Sequence, residues 1–125
     1  MKDQFKHGEF YTRIEISSKI GGDYISFLPS KNKSIVCGCF SPSKNPEAPR
    51  VVLAGKNPNV RRNADIFSKS HNYIPIFIKK SSNKWQYVGQ WKFKREITDP
   101  AAISKFCILG NRSINSIYKA IELME

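Results

Sequence analysis

Cysteine is scarce in this 125-residue chain, with only Cys37, Cys39 and Cys107 present. Cys37 and Cys39 fall on one face of an extended strand without opposing each other, and Cys107 stands alone, so the pattern is no disulfide framework. Zinc fares no better, because only His7 and His71 remain to complete a ligand set. The thiols read as buried and free, in a reducing cytoplasm or nucleus. No run approaches the roughly 20 apolar residues of a membrane span. The polar, mixed-charge stretch from Met1 to Phe10 is no secretory signal either. The expectation is an intracellular protein with no membrane partner, no metal and no cofactor.

Carboxylates are the second shortage. Residues 24–95 hold fourteen Lys and Arg but only Glu47 and Asp65, whereas both flanks are nearly balanced, so the net charge of +11 sits in the middle. A single-signed block of this length concentrates polyanions and speeds their encounter. It also starves catalysis, because a hydrolytic metal site needs clustered carboxylates. Asp65 followed by Gln90-Trp91-Lys92 imitates the end of a nuclease motif, but Asp65 falls in an expected helix and so short a match arises by chance. His71 has no nucleophile beside it. The chain reads as a non-enzyme.

With 40% hydrophobic and 12% aromatic residues, the chain can build the core of one domain. Alternation predicts a strand over Phe10–Ile16, ended by Gly21-Gly22. Further strands are expected at Tyr24–Leu28, Ser34–Phe40 and Arg50–Ala54, with a proline-rich loop over Ser41–Pro49. A short helix is expected over Val60–Ser70. Ile74–Ile78 is a strand that Pro75 pushes to an edge or a strand start, and Trp85–Phe93 is a strand of clear alternation. Asp99-Pro100 opens a helix that Gly110 closes. Ser113 is expected to cap a last helix bearing Ile114, Ile117, Tyr118 and Ile121.

The Trp85–Phe93 strand puts Trp85, Tyr87, Trp91 and Phe93 on one face and Lys84, Gln86, Gln90, Lys92 and Lys94 on the other. Stacking rings beside phosphate-neutralising lysines is how single strands and extruded bases are held. Gly89 would leave a recess between Tyr87 and Trp91 for a flat base. Core packing is the competing role for the rings. Arg61-Arg62, with Arg50 and Lys56 upstream, forms a second basic cluster suited to bidentate phosphate contact.

Trp85-Gln86-Tyr87-Val88-Gly89-Gln90-Trp91-Lys92-Phe93 resembles the Y-D-G-x-Y-x-V signature of SRA (YDG) domains within the PUA-like group. Tyr11-Thr12-Arg13 with Gly21-Gly22, and Arg50–Gly55, resemble two further elements of that family in the same order, over residues 8–95 in all. Val88 stands where the signature has aspartate. The order of elements argues for an α+β fold, which the resemblance makes PUA/SRA-like: a small curled β-sheet or barrel over about 8–98 with one short helix inserted, then two C-terminal helices over about 99–125. The resemblance implies a reader of modified DNA that takes an extruded base into an aromatic pocket, with a separate effector nuclease as a candidate partner. The base pocket would comprise Tyr11, Asp23, Tyr24, Trp85, Tyr87, Gly89 and Trp91. Arg13, Arg50, Lys56, Arg61, Arg62, Lys79, Lys80, Lys84 and Lys92 would hold phosphates. An RNA-binding PUA-like module is the alternative in the same class. A small nuclease, or a protein that docks acidic partners, is the alternative outside it.

Overall fold

The computed structural model describes residues 4–125. Its first departure from expectation comes at Thr12. The chain is extended only over β1 (Phe10–Tyr11) and then turns into helix α1 (Arg13–Ile20). Thr12 Oγ1 accepts from the Glu15 N–H at 3.1 Å, and Glu15 Oε1 accepts from the Thr12 N–H at 2.9 Å. This capping box satisfies two donors that an isolated helix start would leave orphaned. The alternating residues that suggested a strand are mostly outside the core, since Phe10 and Ile14 are exposed and Ile16 alone is fully buried. Gly21 ends the helix at φ +84°, its N–H returning to the Ser17 carbonyl at 2.8 Å.

Tyr24–Leu28 is a loop rather than a strand, because Asp23 bends it. The Asp23 carboxylate accepts from the Ile25 and Ser26 N–H groups at 2.9 and 2.6 Å, and from the Ser26 hydroxyl at 2.8 Å. Such a side-chain turn competes with any sheet ladder. Downstream, β2 (Ser30–Lys31) and β3 (Ser34–Ile35) form a hairpin around Asn32 and Lys33, both at positive φ. The expected single strand over 34–40 is therefore divided between β3 and β4 (Gly38–Phe40).

The remaining elements are β5 (Val51–Gly55), α2 (Pro58–Ser68), β6 (Ile74–Ser81), β7 (Lys84–Ile97), α3 (Pro100–Leu109) and β8 (Ile117–Met124). Sheet order is β4-β6-β7-β8-β5, with β1 also on β7; β4 runs parallel to β6, and the other pairs are antiparallel. The sheet is mixed α+β in class and open, not closed into a barrel. Pro75 sits at the start of β6, opposite Gln90, one residue before β4 begins pairing at Ile76. No ladder bond on that side needs its missing N–H.

The C-terminal segment corrects the expectation of two closing helices. Asp99, Pro100 and Gly110 do frame α3, but Ser113 caps only a 3-10 turn over Ile114–Ser116 before the chain extends into β8. This strand lies between β7 and β5 and is buried on both faces. Ala120 packs with Leu53 and Cys107 under α3, and Ile121 and Leu123 join the core that contains Phe67 of α2. Two-sided burial erases the period of two, and two waiting strand edges outweigh local helical spacing. α2 thus covers one face of the sheet, and α1 and α3 cover opposite ends of the other.

Candidate nucleic-acid interface

The expected aromatic face does not exist as one face. β6 and β7 pair Phe77 with Tyr87 and Pro75 with Gln90, so Ile76 stands opposite two residues, Val88 and Gly89. That extra residue is a bulge, and it reverses the side-chain parity of the strand. Trp85 and Tyr87 pack under α1 with Phe77, whereas Trp91 and Phe93 pack on the α2 side. Gly89 adopts φ +103° and opens no recess there. A Cβ would meet Glu125 Oε2 at 3.4 Å, His7 Cδ2 at 3.7 Å and Trp91 Nε1 at 3.9 Å. Tyr87 is 2% exposed and receives the Gln90 side-chain amide on its hydroxyl.

Trp85 instead borders a groove. Two adjoining cavities of about 500 and 420 Å³ share Ile25, Phe27, Lys44 and Asn45 as common walls. The loop after Asp23, the proline-rich loop and the β6–β7 hairpin enclose the first; β5, the start of α2 and Arg112 close the second. Asn45 anchors the proline-rich loop by accepting the Leu53 N–H at 2.8 Å. Arg112 Nη1 binds the Leu53 carbonyl at 3.1 Å. Burial draws the Arg112 guanidinium below its ordinary pKa, partly offset by Cys107; it remains a cation at neutral pH.

Among the described residues four cations line this groove, namely Arg13, Lys44, Lys79 and Arg112, and no carboxylate does. Tyr24 and Ile25 stand at its rim, 60% and 82% exposed. Arg13 and Lys79 converge on Trp85, 5.2 and 5.9 Å from its ring centre. Asp23 stays outside as the brace of the loop. Burial opposes its ionisation, but hydrogen bonds from Ser26 and Ile25 and the charge of Arg13 hold its carboxyl below the ordinary value.

The groove therefore gathers Tyr24, Trp85, Arg13 and Lys79 from the residues that the sequence singled out. Tyr11 lies apart, its ring edge-on to Phe5 at 5.0 Å and its hydroxyl accepting from the Lys6 N–H. Lys80 and Lys84 are exposed on the hairpin beside Lys79, and Arg50 and Lys56 are exposed at the two ends of β5. Arg61 stacks on Tyr118 at 4.5 Å, while Arg62 donates to Asn59 at the edge of the groove. Lys92 lies over Tyr73, at 5.0 Å from the ring.

Lys44 and Arg112 were not singled out by the sequence. Lys44 was hidden in a loop read only for its prolines. Arg112 reaches the groove from beyond α3, so nothing in its local sequence places it there. The residues of the nuclease-like match are engaged separately. Asp65 accepts from the Tyr118 hydroxyl at 2.9 Å and from Lys119 Nζ at 2.8 Å, Gln90 binds Tyr87, and Lys92 covers Tyr73. Among the described residues no three His, Cys, Asp or Glu side chains are grouped to hold a metal ion, and no helix is long and apolar enough to cross a membrane. No family model matches the chain, and no curated protein or solved structure matches it significantly.

Proposed function

We propose that this protein binds nucleic acid, DNA in preference to RNA, along the groove between the loop after Asp23 and the proline-rich loop. One observation carries the reading: among the described residues Arg13, Lys44, Lys79 and Arg112 line the groove, and no carboxylate joins them. Surface cations usually mix with anions, so a lined, one-signed concavity favours a polyanion. The net charge of +11 supplies the long-range attraction, and the lining supplies the contact.

Tyr24 and Ile25 give the rim an apolar, stackable surface, on which an unstacked base would lie while the cations hold its phosphates. A modified base is the ligand that the resemblance to SRA domains suggests, and this rim is where it would be received. The test is a titration of unmodified, methylated, hydroxymethylated and phosphorothioated DNA, with matched RNA, at two salt concentrations. Salt-sensitive binding to DNA with a preference for one modified duplex is expected. Binding to anionic vesicles but to no nucleic acid would replace this reading with a surface that docks acidic partners.

A further inference from the structure

Arg13 is 8% exposed, yet among the described residues its guanidinium makes one hydrogen bond, from Nη2 to the Ser26 carbonyl at 2.8 Å, and no ion pair. A buried cation without a counter-ion is costly, and structures seldom keep one unless something else supplies the charge. The carboxylate that feels its field, Asp23, spends its oxygens on Ile25 and Ser26. Trp85 packs against the guanidinium, and Asn83 fixes the helix start that carries it. Trp85 lies 5.2 Å away, and the backbone N–H of Arg13 donates to Asn83 Oδ1 at 3.1 Å. Arg13 borders the larger cavity of the groove, which Lys79, Lys44 and the pair of Ser41 and Ser43, hydrogen-bonded to each other through their hydroxyls at 2.9 Å, also line. The cavity's charged walls, Arg13, Lys44 and Lys79, are donors that cannot accept, which suits an acceptor-only group.

Resting on the nucleic-acid reading, we propose that this cavity is a site for a nucleotide phosphomonoester, with Arg13 and Lys79 as its principal ligands and Tyr24 beside the attached base. A monoester fits better than the diester of a continuous backbone for two reasons. Its charge approaches two, matching two convergent cations. It also enters head-first, whereas an internal phosphate would have to bring both flanking nucleotides down to a guanidinium recessed behind the loop. The shared chemistry covers a phosphorylated strand end and a free mononucleotide.

The test uses the full chain and short single strands of one sequence carrying a 5′-phosphate, a 3′-phosphate or hydroxyls only, with a mononucleotide as a further ligand. One phosphorylated end is expected to bind about tenfold more tightly than the hydroxyl strand, the scale of a charge-assisted contact. Lys79→Gln and Arg13→Gln should each erase most of that preference, so that phosphorylated and hydroxyl strands bind alike, both more weakly than the hydroxyl strand binds the wild type because one groove cation is lost. If Arg13→Gln melts at room temperature, the exposed Lys79→Gln and Lys44→Gln variants decide alone. A mononucleotide binding as tightly as the phosphorylated strand identifies a free nucleotide as the ligand. Equal affinity for phosphorylated and hydroxyl strands, or a preference that survives Lys79→Gln, overturns the site and leaves the nucleic-acid reading standing. Binding of the mononucleotide without any strand keeps the site and sinks that reading.

Discussion

Trp85 and Trp91, six residues apart on β7, lie on opposite faces of the sheet: Trp85 packs with Phe77 under α1, and Trp91 pairs with Ile74 on the side of α2. An even separation on a regular strand would keep them on one face. The difference is the one-residue bulge at Val88–Gly89, and φ +103° at Gly89 is the conformation that permits it.

Gly89→Ala should therefore act on the whole fold and not only on its neighbours. A non-glycine residue at this φ costs roughly 1–3 kcal/mol. Its Cβ would also contact Glu125 Oε2 at 3.4 Å, an approach that the flexible glutamate can relieve. Loss of stability on that scale in urea unfolding is expected. An unchanged midpoint would mean that β7 accommodates the bulge without glycine.

Trp91→Ala separates a core ring from a ligand-stacking one. Trp91 lines neither cavity of the groove, and its indole N–H is spent on the Val88 carbonyl at 3.1 Å. A half-buried ring should cost about 3 kcal/mol on truncation, the low end for aromatic residues. Affinity for DNA, corrected for the folded fraction, should stay as in the wild type. A variant that keeps its melting temperature but binds tenfold more weakly would return the base to the Trp91 face.

Cys37 and Cys39 should be inert while the protein is folded. Their sulfurs lie 4.0 Å apart in the α1-side core, and the hydrogen bond between them together with burial pushes the Cys37 thiol far above its ordinary pKa. A thiol with so little thiolate is a poor nucleophile. Mass spectrometry after native iodoacetamide treatment should show both unmodified, and both alkylated after denaturation. Native labelling of Cys37 would show that α1 opens.

What could be read from sequence divides by range. Asp99-Pro100 and Gly110 are local signals, and they frame α3 as expected. Asn57-Pro58 opens α2 in the same way, although it reads as a turn closing the strand before it, with the helix expected only from Val60. The Thr12–Glu15 capping box was equally visible, but the alternation of Phe10, Ile14 and Ile16 outweighed it. β8 was not visible in that sense. Its apolar residues fit helical spacing, and only the edges of β5 and β7, drawn from far along the chain, make it a strand. The same limit applies to the groove, where Arg112 meets Leu53 across 59 residues.

Asp65 and Lys119 make a pH prediction with a definite sign. The Lys119 hydrogen bond, reinforced by Tyr118, holds the Asp65 carboxyl below its ordinary value of 3.8 despite some burial. A carboxylate depressed on folding adds stability above its unfolded pKa and loses it as pH falls through the folded one. Asp65→Asn should therefore be less stable than the wild type at neutral pH, and the gap should begin to narrow near the unfolded value of about 4 and close as pH falls through the lower folded one. Because the Asp65 side chain is 41% exposed, added salt should narrow the gap as well. A gap that stays constant from pH 7 to pH 3 would assign the effect to packing.

The basic surface beyond the groove continues at the start of α2 with Arg61 and Arg62. If DNA continues from the groove over the start of α2, Arg61 and Arg62 neutralise phosphates there. Arg61 is held against Tyr118 at 4.5 Å and Arg62 is tied to Asn59, so both cations are pre-positioned. Each phosphate contact contributes about 0.9 to the slope of log affinity against log salt. Replacing both arginines with alanine should flatten that slope by roughly one to two units while leaving any preference among modified bases intact, because phosphate contacts position the duplex without reading it. Replacing Lys44 instead should flatten the slope and weaken the preference together, since Lys44 lines both cavities. An unchanged slope in the double arginine variant would confine the DNA to the groove and place its exit over the β6–β7 hairpin, where Lys80 and Lys84 become the next residues to replace.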